Sequence, residues 1–277
     1  MKLLVTHQSP DFDACAACWL IQKYLPGWSE AELAFVPPGG TYNDRDPDKN
    51  PDIIHVDTGK GQFDHHQFSG RHSAAEKVLI YLKENVLTPQ KDTPALERIV
   101  EFITSIDNFD EVHFANPGAD LYDYLLPQLI GGIKKELHED VHVVHTSHLL
   151  FDATLQIIKN KIKNEQEIHK GLILHTSLGK TLVIETGNEG ISKFSLKNGF
   201  TLVVRINTKI GNINIKSFPR PEYDLTSLYE ILKKTDPQAN WYFHSSKHII
   251  STGPLSASSA KPTTLTIAKI IEIVKKI

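Results

Sequence analysis

Three short, almost wholly apolar runs at residues 2–6, 33–36 and 53–56 constrain the fold of this chain more than any other feature. Each is strand-length, and the second and third are followed by Gly, Pro or acidic turn residues, as buried parallel strands are. Between and after them the period changes. Residues 14–25 form a nearly continuous apolar segment, and residues 73–82 and 96–106 have helical spacing, with Leu96, Ile99, Val100, Ile103 and Ile106 on one face. Strands that alternate with helices in this way predict an α/β fold with a doubly wound, mostly parallel sheet in the N-terminal domain.

The texture changes after residue 170. Residues 171–176, 181–186, 200–207 and 212–218 read as successive strands with Gly-containing turns, followed by a helix at 225–234, a strand at 241–246 and a closing helix at 265–277. A mixed or antiparallel sheet in a smaller α+β domain is expected there. At roughly 150 residues per domain, 277 residues make about two domains. The division expected is a domain at 1–150, a linker helix at about 149–167 and a second domain at 168–277.

Composition narrows the class. With 40% hydrophobic residues and a net charge of −3, the chain is expected to fold as a soluble globule. No apolar run approaches the ~18 residues of a membrane span, and the N-terminus turns polar too early for a secretion signal. Two cysteines three apart form no disulfide framework, so a reducing cytoplasm is the expected compartment and no membrane partner is expected. The small net charge conceals a division. Residues 1–155 carry 12 Lys+Arg against 24 Asp+Glu, net −12, whereas residues 156–277 carry 18 against 9, net +9. An acidic half suits cations and a basic half suits anions.

The chemistry-bearing residues follow the strands. His7 stands directly after the first, with Asp11 and Asp13 before the next helix, and Asp57 stands directly after the third. The carboxyl ends of parallel strands are where ligands sit in open α/β sheets. One carboxylate suffices to cap a helix, whereas three Asp/His groups within seven residues repel one another unless a cation lies among them. Residues 63–67, Phe-Asp-His-His-Gln, supply Asp64, His65 and His66. Imidazole plus carboxylate without thiolate suits Mn²⁺, Mg²⁺ or Fe²⁺ better than a structural zinc site. Asp107 ends the 96–106 helix at the unfavourable end of its dipole, a penalty that a cation would remove.

Taken in order, H-x3-D-x-D, V-D-x-G, D-H-H and I-D-N resemble the four metal motifs of the DHH phosphoesterase superfamily, most closely the branch of the melanocyte-proliferating-gene exonucleases. Residues 242–246, Tyr-Phe-His-Ser-Ser, resemble that branch's C-terminal F-H-x-S segment. The first motif, SPDFDA, follows the wider superfamily rather than the branch, and Ser251-Thr252-Gly253 stands near the place of a glycine-rich GGGH segment that is absent here.

The resemblance implies two Mn²⁺ ions, with Mg²⁺ as the alternative. His7, Asp11 and Asp57 would ligate one, and Asp13, Asp57, His65 and Asp107 the other, with Asp57 bridging. It assigns catalytic roles to Asp57, Asp64, His65 and His66, with Asp64 orienting a histidine, and substrate binding to His66, His244, Ser246 and Lys247. Two closely spaced divalent cations suit in-line displacement at phosphorus. The implied activity is phosphodiester hydrolysis, 3′→5′ exonuclease action on short RNA, by a chain that is possible as a homodimer. The alternatives are hydrolysis of pyrophosphate, polyphosphate or a cyclic dinucleotide, and a non-catalytic metal- and nucleotide-binding sensor. Arg205, Lys209, Lys216, Arg220 and His248 are further candidates for phosphate contacts.

Two other groupings are read as structural. Cys15 and Cys18 open a helix beside Asp11 and Asp13, which disfavours a reactive thiolate, so both are expected in the core. His138, His142, His145 and His148 have helical spacing, yet Val141, Val143 and Val144 favour a strand that would scatter them over two faces.

Overall fold

The computed structural model describes residues 1–252 and 261–277, so Gly253 of the Ser-Thr-Gly segment lies outside the described residues. The chain is α/β, with a parallel three-stranded sheet, a mixed six-stranded sheet and, among the described residues, eight α-helices. It divides into two compact units, Met1–Asn160 and Lys161–Ile277. None of the described helices is long and apolar enough to cross a membrane.

The first unit opens with β1 (Leu3–His7), α1 (Phe12–Tyr24), β2 (Glu32–Val36) and β3 (Ile53–His55), followed by α2 (Ala74–Glu84), α3 (Thr93–Asp107) and α4 (Leu126–Glu136). The strands run parallel in the order β2-β1-β3. Leu4 and Val5 of the central strand are fully buried, which explains why it reads as an uninterrupted apolar run. Helix α1 is buried on nearly every side, so it lacks an amphipathic stripe, and Trp19 stacks on Phe151 with ring centroids 5.3 Å apart. Cys15 and Cys18 are free and buried here, and burial pushes the Cys15 thiol up to about 12. Both are core residues.

The histidine-bearing stretch departs from expectation. The stretch holding His142, His145 and His148 is helix, not strand, because α5 runs from Asp140 to Ile168. Val143, Val144, Ser147, Phe151 and Leu155 recur at helical spacing along its buried side, and that packing overrides the β preference of the valines. The helix expected at 149–167 therefore starts nine residues earlier. Its histidines form no convergent group of three ligand atoms among the described residues.

The second unit holds β4 (Leu172–Thr176), β5 (Gly179–Glu185), α6 (Gly190–Lys197), β6 (Leu202–Asn207), β7 (Asn212–Ser217), α7 (Thr226–Thr235), β8 (Trp241–Phe243), β9 (Ile249–Thr252) and α8 (Ile267–Val274). Its strand order is β4-β5-β6-β7-β9-β8. The β5–β6 pair is parallel, with α6 as the crossover, and the other pairs are antiparallel. Gly179 turns the β4–β5 hairpin at φ +94°, where a Cβ would also meet Thr201 at 2.7 Å. The strand expected at 241–246 stops at Phe243, because residues 244–248 make the turn into β9. Leu202, Val204, Ile215, Leu228, Leu232 and Ile270 are at the centre of this unit's core.

Candidate metal centre

The sequence-predicted ligands of the first unit converge at the carboxyl ends of the three parallel strands. His7 is the last residue of β1, and its Nδ1–H can donate to the Gln8 carbonyl at 2.9 Å. That bond leaves Nε2 to face Asp11 at 3.8 Å and Asp57 at 3.3 Å, the tautomer a metal-binding imidazole needs. Asp11 is the N-cap of α1, and its Oδ1 accepts from the Ala14 N–H at 3.0 Å.

Asp13 does something the sequence gives no sign of. Its carboxylate reaches out of α1 to the N-terminus of α2, accepting from the Ala74 N–H at 2.6 Å and the Ala75 N–H at 2.9 Å. Ser73 caps the same helix through the Glu76 N–H and bonds Thr104 of α3 at 2.9 Å. The acidic cluster is thus built into the packing of α1, α2 and α3.

Asp57, two residues beyond β3, is buried at 3% exposure and adopts a left-handed backbone at φ +54°. That conformation is costly for a side chain with a Cβ, although Asp tolerates it better than most. Its Oδ2 lies 3.3 Å from His7 Nε2 and its Oδ1 lies 3.3 Å from His65 Nε2. The His65 Nε2 also lies 3.4 Å from Asp107 Oδ2 and 3.8 Å from Asp13 Oδ2. Two separate sets result: His7, Asp11 and Asp57, and Asp13, His65 and Asp107, each offering ligand atoms within 4.8 Å of one another. Asp57 also groups with His65 and His66 by the same measure.

The electrostatics are those of a cluster that needs positive charge. Burial pushes the Asp13 carboxyl well above its ordinary value, and Asp57 and Asp107 push it further. Burial raises Asp107 to about 6, with Asp57 and Asp11 adding to the rise against the opposing histidines. Burial would also raise Asp57, but the imidazoles of His65 and His7 outweigh it and hold that carboxyl below the carboxylate range. Burial disfavours a charged His7, yet Asp57, the Gln8 carbonyl and Asp11 together raise it to about 9. Asp57 Oδ1 and Asp107 Oδ2 are buried without a hydrogen-bond partner. Buried, unpartnered carboxylate oxygens aimed at imidazoles fit a divalent cation with oxygen and nitrogen ligands.

Around this cluster lies a cavity of about 370 Å³ lined by His7, Asp11, Asp57, Asp64, His66 and Asp107, together with Pro38, Gly39 and Lys60. Asp64 is buried and positions its neighbours: its Oδ2 accepts from the Lys60 N–H at 2.7 Å, and its Oδ1 accepts from the His66 N–H at 3.0 Å and lies 2.7 Å from His66 Nδ1. The histidine it orients is the exposed His66, not His65. Asn108 donates to the His72 and Thr104 carbonyls at 2.9 and 2.8 Å, fixing the end of α3 beside Asp107. Lys60 and Asn108 were not among the expected site residues. The only signal for Lys60 is its position between Gly59 and Gly61.

In the second unit, His244, Ser246 and Lys247 share the turn between β8 and β9. His244 Nδ1 lies 2.8 Å from Ser246 Oγ, and the Lys247 ammonium pairs with Asp224 at 3.1 Å. Arg205 is buried against Asn212 at 3.1 Å, and His248 Nδ1 lies 3.0 Å from Ser217 Oγ.

No protein-family model matches the chain, and the comparison with curated proteins finds no match.

Proposed function

We propose that the chain is a metal-dependent phosphoesterase of the DHH kind, hydrolysing phosphodiester bonds, with short RNA degraded from its 3′ end as the favoured substrate. The observation that carries this reading is Asp57: a buried carboxylate, in a strained backbone conformation, whose two oxygens each lie 3.3 Å from a different histidine. A structural aspartate needs no second histidine, whereas a carboxylate shared between two cations would need an oxygen available to each.

In this reading His7, Asp11 and Asp57 would hold one Mn²⁺ ion, and Asp13, Asp57, His65 and Asp107 would hold the other, with Mg²⁺ as the alternative. Two such cations supply positive charge that offsets the negative charge developing on phosphoryl oxygens during in-line displacement. The chain's own residues prepare the site. The Gln8 carbonyl fixes the His7 tautomer, and the backbone of α2 holds the Asp13 carboxylate in place. Asp64 holds His66 at the cavity, where its imidazole can donate to a substrate phosphate. The first unit acts as a doubly wound catalytic domain at about 1–150, and the basic domain at 168–277 binds substrate phosphates through His244, Ser246 and Lys247.

The test is a screen of the full chain with saturating Mn²⁺ against short RNA, short DNA, pyrophosphate, polyphosphate and cyclic dinucleotides. Stepwise shortening of RNA from the 3′ end is the expected result. Preference for one of the other substrates would retain the chemistry and change the substrate. Nucleotide binding without turnover of any of them would make the chain a sensor.

A further inference from the structure

We propose that Lys60 is a substrate-binding residue whose ammonium takes an anionic phosphate oxygen beside the cation-binding carboxylates; the inference rests on the phosphoesterase reading above.

Three observations meet at this residue. Lys60 has φ +57°, in the left-handed region that favours glycine. The chain places glycine on both sides of it, and Gly59 uses that freedom at φ +77°, yet position 60 keeps a long side chain against the backbone preference. Second, the backbone conformation is held by others. The Lys60 N–H donates to Asp64 at 2.7 Å, and its carbonyl accepts from the Gln67 amide at 3.3 Å. The loop therefore needs nothing from the lysine side chain.

Third, the ammonium is uncommitted. Lys60 lines the same cavity as Asp11, Asp57, Asp64 and Asp107, but among the described residues it forms no ion pair with any of them, whereas the His7, His65 and His66 rings do. It is also the one Lys or Arg among the described lining residues. A lysine recruited to neutralise the acids would lie against one of them. Lys60 is an exposed residue on the wall of this cavity, and an ammonium with no acid pair there is suited to a phosphate oxygen as a point charge.

The test is calorimetric titration of the full chain with Mn²⁺ and then of the Mn²⁺-loaded chain with inorganic phosphate, for wild type, Lys60→Met, Lys60→Gly and Lys60→Arg. Phosphate affinity is expected to fall about tenfold or more in the Met and Gly variants and to stay near wild type in the Arg variant. Mn²⁺ affinity in the Met and Gly variants should be as high as in wild type or higher, because a nearby positive charge has been removed. Lys60→Gly should also melt within about 3 °C of wild type, since glycine suits the left-handed turn. If wild type binds Mn²⁺ and the Met variant binds phosphate as tightly as wild type, Lys60 is a solvated surface cation and this inference fails alone. If wild type binds no Mn²⁺, the phosphoesterase reading fails and takes this inference with it.

Discussion

Asp13 belongs to α1, yet its carboxylate closes α2, with one oxygen 2.6 Å from the backbone nitrogen of Ala74. The bond spans 61 residues of sequence and joins two helices through a fully buried acid of the cluster. An acid in this place has two roles at once. It satisfies otherwise orphaned N–H groups at a helix start, where the dipole favours negative charge, and it keeps lone pairs directed at His65.

That double role separates its stability effect from its metal effect. Asp13→Ala leaves the Ala74 and Ala75 N–H groups buried without acceptors, which costs about 2–4 kcal/mol. Asp11→Ala removes only a local cap on a half-exposed side chain, worth about 1 kcal/mol. Denaturant melts in excess chelator, where no cation contributes, should therefore show a clear loss for Asp13→Ala and a small one for Asp11→Ala. Equal losses would mean that the contact to α2 is not structural.

What was legible in the sequence was local. The central strand β1 is an apolar run because its middle residues are buried on both faces, and His7 and Asp57 could be placed because strand ends are visible. Asp107 could be placed because a helical stripe ends beside it. What escaped depends on contacts distant in sequence. Nothing near Asp13 announces that its acceptors serve α2. The valines at 141, 143 and 144 suggest a strand until Phe151 and Leu155 are seen to continue their buried stripe along α5. Strand β9 inserts between β7 and β8, an order that strand spacing does not encode. Lys60 stood out only by its place between two glycines, since what marks it in the fold is a left-handed backbone together with a place on the cavity wall.

The metal-free chain should lose stability as pH rises. The Asp107 carboxyl is raised from 3.8 to about 6, so the folded chain holds a proton there that the unfolded chain has released. Its contribution is complete below about pH 4 and is lost as pH rises through about 6. His7, raised from 6.5 to about 9, acts with the same sign: its contribution is complete below 6.5 and lost through about 9. Cations replace these protons, so the rise in melting temperature on adding Mn²⁺ should grow from pH 5 to pH 8. Melts in chelator and in Mn²⁺ across that range check this, and a rise independent of pH would rule out ligation by these two groups.

Chelation should act on activity and stability together. At about 100 times its dissociation constant, a ligand that binds only the folded state stabilises by about 2.7 kcal/mol, which corresponds to roughly 5–10 °C in a unit of this size. EDTA should abolish hydrolysis and lower the melting temperature, and Mn²⁺ should restore both. Full activity and an unchanged melting curve in excess chelator would remove the metal assignment.

The acidic and basic units should differ in kinetic signature. Asp57→Asn keeps the size of the side chain and its tolerance of the left-handed backbone but removes the charge facing both His7 and His65. In the proposed reading that charge would hold both cations, which offset the charge developing in the transition state, so kcat should fall by about two to three orders of magnitude or more at any substrate concentration. Lys247 is different. Its ammonium is half-exposed and paired with Asp224 at 3.1 Å, so it must exchange one anion for another when it meets a phosphate. Such a contact acts in the ground and transition states alike, and Lys247→Ala should chiefly raise KM. Because the contact is ionic and solvent-exposed, the wild-type KM should rise with salt, and that of the Lys247 variant should respond less. If Lys247→Ala leaves both KM and its salt dependence unchanged for every substrate hydrolysed, the +9 charge of residues 156–277 has no part in substrate capture through this residue.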